Sequence, residues 1–378
     1  MKIKKRWIVL IIIGGLALAV YLLLPHIGTY FQRKYFTSQY QPEPLRTEEV
    51  KTAPAEYHIS GVPWISYRKA YCQSASLQMI SYYLNGERVS LGEVNFLMGF
   101  TYGAAYISLG GKRAFFLPYT DPEPGFRVAA PYLGLKRRYL VTNDPALFLR
   151  GIEYFISSGL PVRVSVNVGR LKGQPGMFSS HSEVIVGYDD KYFYYYETGE
   201  KNRFLEEEKG IPVAKDVLKQ AVAEALGYFR LPWRYAFVVF EKGEKKENIS
   251  FILRRNAGLL IGDSFGPVAQ GSYAISKFAS YLEKLSPKAS KWDVILSLVE
   301  MLVYTREDDV FFLRGFSSAG IDLKEVVYLL GQAAESYREA LDLLKQDKPD
   351  VRKAANLIRE GAAKEKEAGE LLKGTLKK

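Results

Sequence analysis

Cysteine occurs once in this chain of 378 residues, at position 72, and histidine only three times. A single thiol excludes an internal disulfide. His26 and His58 stand apart near the start of the chain, so the nitrogen and sulfur donors are too few for a zinc site of the usual kind. A phosphate-binding loop is missing as well, because Gly110, Gly111 and Lys112 lack both the full spacing and the Ser or Thr that should follow the lysine. No period of roughly 20 to 50 residues marks a solenoid. The net charge of +11 comes without the basic and aromatic motif of a nucleic-acid module, and no cofactor motif is present, so neither nucleic acid nor a cofactor is expected.

What is present suits a folded enzyme-sized body. Hydrophobic residues at 48% and charged residues at 25% are ordinary for a globular protein, and this length is comfortable for two domains. Residues 7 to 24, WIVLIIIGGLALAVYLLL, form an apolar run of 18, which as a helix spans about 27 Å and nearly matches a bilayer core. Lys2, Lys4, Lys5 and Arg6 precede the run, while only Arg33 and Lys34 follow closely. The expectation is a single-pass cell-membrane protein, N-terminus cytoplasmic and main domains outside, with the membrane as a partner through this helix; the alternative is a cleaved signal peptide, for which LLLPHIGTYFQRKYF offers no clear cleavage site. Residues 1–25 are then the basic start and anchor. Residues 26–56, rich in proline and without period, read as a tether.

A first domain spans 57–242 and ends on the apolar strand YAFVVF. A charged linker, 243–250, leads to 251–378, where the period becomes helical, as in Leu330, Ala333, Ala334, Tyr337, Leu341 and Leu344. The expected class is α+β, with an all-α domain after the first one.

Chemistry concentrates on Cys72 and His181. In AYCQSASLQMISYYL, the cysteine opens a helix, where unpaired backbone N–H groups and the positive end of the helix dipole favour a thiolate. The bland alternative is a small core residue. His181 opens the strand HSEVIVGY, in which Glu183, Ile185 and Gly187 point to one side and Ser182, Val184 and Val186 to the other. Asp189, Asp190 and Lys191 make the turn. The return strand YFYYYET brings residues 196 to 198 opposite His181, so that Glu197 can orient the imidazole and stabilise an imidazolium. The alternative there is a satisfied polar residue at a strand end and an exposed carboxylate. Glu93 and Asn95, in LGEVNFLMGF, read first as structural and second as lining a substrate entrance.

The blocks CQSASLQMISYYL, VSLGEVNFLMGFTYGAAYIS, GLPVRVSVNVGRL and HSEVIVGYDDKYFYYYETG, taken in that order, resemble the N-terminal domain of the butirosin biosynthesis protein H family. Those around Cys72 and His181 are also similar to the bacteriocin-processing peptidases that cut after double-glycine leaders. The resemblance covers roughly residues 57 to 200. It implies a papain-like peptidase or acyltransferase domain, with Cys72 as nucleophile, His181 as base and Glu197 as the carboxylate. The implied substrate is a peptide or an acyl donor, attacked at an amide or thioester carbonyl through an acyl-enzyme. Such peptidases carry a Gln a few residues before the Cys, where this chain has Ser66 and Tyr67. Their third member is more often Asp or Asn than Glu. The competing expectation is a non-catalytic binding or display module on the same fold.

Overall fold

The computed structural model describes residues 34–67, 71–109, 112–174, 177–197, 205, 207–287, 291–316 and 322–375. Along the chain come β1 (Pro42–Pro44), β2 (Tyr57–His58), α1 (Cys72–Asn85), α2 (Leu91–Met98), β3 (Ala105–Leu109), β4 (Lys112–Phe116), α3 (Pro122–Ala129), β5 (Leu135–Thr142) and α4 (Pro145–Ser157). Then follow β6 (Val162–Asn167), α5 (Val168–Leu171), β7 (Ser180–Tyr188), β8 (Tyr192–Tyr196), β9 (Ile211–Ala214), α6 (Lys215–Tyr228) and β10 (Tyr235–Lys242). The remainder comprises α7 (Ser250–Ile261), β11 (Ser264–Phe265), β12 (Val268–Gln270), α8 (Gly271–Leu282), α9 (Trp292–Gly315), α10 (Lys324–Leu344) and α11 (Val351–Thr375).

Helix at 53% outweighs strand at 18%, and every strand pairing except β1 on β5 is antiparallel. The class is α+β. The main sheet runs β1-β5-β10-β6-β7-β8-β9, with β2 paired to the far end of β7. Residues 162–166 and 184–186 are apolar at most positions and buried, apart from Ser165, which is the pattern of strands covered on both faces. Helix α1 lies against this sheet, and its first ten residues, Cys72 to Ser81, are all buried. It is a central helix rather than one with a single apolar face. Gly86 ends it at φ 74°, a left-handed conformation that favours glycine.

Three expectations about organisation need correction. The apolar run 7–24 lies outside the described residues, and among those described no helix is long and apolar enough to cross a membrane. The long helices explain why: α9 carries Asp293, Glu300, Arg306, Glu307, Asp308 and Asp309, and α11 interleaves Lys, Arg and Glu throughout. Among the described residues the fold is therefore α+β without a membrane-spanning helix. The expected single-pass cell-membrane location, with its outward-facing domains, has no described helix to rest on.

Secondly, the tether is not free. Residues 42–44 add a parallel strand to the outer edge of β5, the place in a sheet where prolines that cannot donate to a ladder are tolerated. Glu43 accepts from Arg138 at 2.8 Å, and Tyr40 and Leu45 are buried in the core.

Thirdly, the region after 250 is not an all-α unit set apart from the rest. Strand β12 pairs with β3, Ala269 opposite Tyr106, so a four-stranded sheet, β11-β12-β3-β4, is built from both halves of the chain. The stretch 243–250 is also pinned, Gly243 N–H to the Gly134 carbonyl at 2.8 Å and Lys246 N–H to that of Pro131 at 2.9 Å. One hydrophobic cluster joins Leu77, Phe96 and Val184 to Ile252, Leu313, Leu330 and Leu372. Below it, a buried network fastens α9 and α11 to the loop after α2. Arg306 donates to Glu365 at 2.7 and 2.8 Å, to Asp309 at 3.1 Å and to the Thr101 carbonyl, while Thr101 and Tyr337 hydroxyls bind Asp309 and Glu365. The two halves of the chain thus share a sheet, a hydrophobic cluster and a buried polar network.

Candidate active site

Cys72 is the first residue of α1, and the first hydrogen bond of the helix is from Ala75 N–H to the Tyr71 carbonyl. The N–H groups of Cys72, Gln73 and Ser74 therefore precede the intrahelical ladder. No side chain caps this end and no acidic residue lies in the first turn, so the positive end of the dipole is left to the sulfur. Strand β7 places His181 alongside. Ser76 on α1 ties the two elements together, bonding the Cys72 carbonyl at 2.7 Å and the Ser182 hydroxyl at 2.9 Å.

His181 and the backbone N–H of Ser182 are close enough to act on the sulfur. Burial by itself would raise the thiol. The field and hydrogen bond of His181, the Ser182 N–H and the charge of Arg163 outweigh it and hold the thiol below its ordinary value. For His181 the balance has the opposite sign: burial lowers the imidazole, but Cys72, Glu183 and the hydrogen bond to Glu197 push it up to about 12. The two shifts have the signs that favour a thiolate–imidazolium pair. Cys72 is 8% exposed and the His181 side chain 19%, so solvent reaches the pair from the imidazole side.

Glu197 sits 2.8 Å from His181 Nε2 through its Oε1. Each ring nitrogen has one in-plane site, which leaves Nδ1 for the sulfur. The carboxylate is itself held, because Trp64 Nε1–H donates to the Glu197 carbonyl at 2.8 Å. Its register differs from the hairpin count. Val184 pairs with Tyr196, and an irregularity between Ile185 and Gly187 shifts the ladder, so Glu197 comes beside Glu183 and reaches His181 diagonally.

Several residues at the site were missed. Glu183, two positions from His181 on the same face of β7, is fully buried, and neither carboxyl oxygen has a hydrogen-bond partner. Burial pushes its carboxyl well above the usual range, against the opposing charge of His181. Arg163 on β6 is 1% exposed and donates to Ser182 at 2.8 Å, to Glu123 and to Gln73. Its guanidinium also lies over the Phe126 ring, 4.7 Å from the centroid. Thus the residue after the nucleophile is fixed by a buried cation. A charge inside each of the apolar runs VRVSV and HSEVIV was the signal.

Ser66 and Tyr67, standing where the peptidases carry Gln, contribute no donor to the sulfur's surroundings: Ser66 is exposed and the Tyr67 hydroxyl binds Gln78. The unpaired N–H groups at the start of α1 are the donors available to an oxyanion. Glu93 and Asn95 lie on α2, where the Ser90 side chain caps Glu93 N–H at 3.1 Å and Asn95 is buried. Helix α9 borders the cysteine end. Tyr71 donates to Asp308 at 2.7 Å and meets Tyr304 edge-on at 5.8 Å, while Tyr119, which feels the Cys72 charge, contacts Met301.

No protein-family model matches this chain, and no curated protein matches it.

Proposed function

We propose that the chain is a papain-like cysteine enzyme that transfers acyl groups from amide or thioester carbonyls, as a peptidase or an acyltransferase. The observation that carries this reading is the series Cys72, His181 and Glu197, a helix-start cysteine beside an imidazole whose Nε2 is bonded to a carboxylate.

The steps follow from that arrangement. The Cys72 thiolate attacks the carbonyl carbon, and the oxygen that becomes negative is met by N–H groups at the start of α1. His181 gives its Nδ1 proton to the departing amine or thiol as the carbon–nitrogen or carbon–sulfur bond breaks, leaving a thioester on Cys72. A water or an acceptor amine then loses a proton to His181 and attacks that thioester. Release of the product restores the thiolate and the imidazolium. Glu197 holds the ring in the orientation both transfers require.

The test is labelling with an acylating probe, a peptide or simple thioester, followed by mass spectrometry of the intact chain. One acyl group should appear on Cys72, be absent in Cys72→Ala, and form about 100-fold more slowly or worse in His181→Ala. Equal labelling of wild type and His181→Ala would overturn the reading and leave a binding module on this fold.

A further inference from the structure

His181, Glu183 and Glu197 converge more closely than a nucleophile–base–orienter series requires. One nitrogen and one oxygen from each carboxyl lie within 4.8 Å of one another, and Glu183 Oε1 is 3.8 Å from His181 Nε2. Glu197 accounts for one of these contacts by its hydrogen bond. Glu183 has no such account: it is 0% exposed, both oxygens lack a hydrogen-bond partner, and it is aimed at a nitrogen already engaged. A buried carboxyl without a donor is costly in a protein interior, and a cation is one of the few things that can satisfy two at once.

We propose that His181 Nε2, Glu183 and Glu197 form a binding site for a divalent cation of the zinc type. One imidazole and two carboxylates are a donor set suited to that class of ion. Zinc holds such ligands at about 2.1 Å, which in a tetrahedron sets them about 3.4 Å apart. The observed separations from Nε2, 2.8 Å to Glu197 and 3.8 Å to Glu183, lie on either side of that value. The fourth position is left to water.

On binding, the ion takes the Nε2 lone pair, and the proton held there goes to solvent. Glu197 exchanges its hydrogen bond for a metal bond. The proposal does not depend on Cys72 being a nucleophile.

The proposal is tested on the full chain, stripped of metal and kept reduced. Cobalt(II) is titrated and followed by its visible absorption, and zinc by calorimetry. One ion should bind to wild type and equally to Cys72→Ser, and more than about tenfold more weakly to Glu183→Gln and to Glu197→Gln. Each variant is checked for its unfolding midpoint, and Glu197→Gln, at the edge of the site, serves if Glu183→Gln does not fold. Affinity unchanged in a folded carboxamide variant, or abolished in Cys72→Ser, overturns the site.

Discussion

Glu197 is fixed at both of its ends, by Trp64 at its backbone carbonyl and by His181 at its carboxylate, each at 2.8 Å. The carboxylate is thus aimed by a loop that precedes the nucleophile in sequence. Replacing it by Glu197→Gln should lower the acylation rate of Cys72 by at least about tenfold, and by more where the amide selects the wrong ring tautomer. Trp64→Phe keeps the aromatic volume and loses one hydrogen bond, worth about 1 kcal/mol, or at most about fivefold in rate. Single-turnover acylation rates of the two variants give the comparison, and an effect of Trp64→Phe equal to that of Glu197→Gln would contradict this order.

The reactivity of Cys72 toward an alkylating agent should depend on pH in a definite direction. His181, the Ser182 N–H and Arg163 lower the thiol below its ordinary value, with burial opposing them. A lowered pKa keeps the thiolate present as pH falls through the ordinary thiol range, so the metal-free wild type should stay reactive at neutral pH. In His181→Ala, burial prevails and the thiol rises. Its labelling should then be slow at neutral pH and recover only in alkaline solution, which iodoacetamide rates measured from pH 5 to 10 will show.

Arg163 fixes Gln73, Ser182 and Glu123 together from a position 1% exposed. Arg163→Leu leaves the Glu123 carboxylate with Arg137 as its cation, at 2.9 Å, but strands part of a buried charge network. A loss of about 3–5 kcal/mol in urea unfolding is expected, with slower Cys72 labelling in any folded fraction because one charge favouring the thiolate is gone.

Glu365 occupies the corresponding place in the helical half, fully buried between Arg306 and Tyr337. Glu365→Ala should cost about 3–5 kcal/mol, since it leaves Arg306 with too little counter-charge. Denaturant midpoints measure this directly, and a variant as stable as wild type would show the network to be dispensable.

A chain ended after residue 246 should not fold on its own. It would lose β12 from the edge of β3 and uncover the apolar residues that face α7, α9 and α10. Near-UV circular dichroism in increasing urea should show no cooperative transition for this fragment, in contrast to the full chain.

The start of α1 was legible because a lone cysteine followed by a helical run states its own position, and His181 because it opens an alternating strand. Glu197 could be counted to within a residue or two but not aligned, since the irregularity in β7 near Gly187 carries no sequence mark that separates it from a regular ladder. Glu183 and Arg163 were visible as charges in apolar strands. Nothing local told that the first would lack a hydrogen-bond partner and the second would hold four groups at once.

Cys72, its helix start and the antiparallel hairpin that presents His181 are thus determined by local pattern, through periodicity and backbone geometry acting over a few residues. The shared sheet of β3 and β12, the seating of Pro42–Pro44 on β5 and the meeting of His181, Glu183 and Glu197 were decided only in three dimensions. The reason is physical: hydrogen-bond pairing between distant strands and the desolvation of a carboxyl depend on what surrounds a residue after folding. Residue order alone does not specify those surroundings.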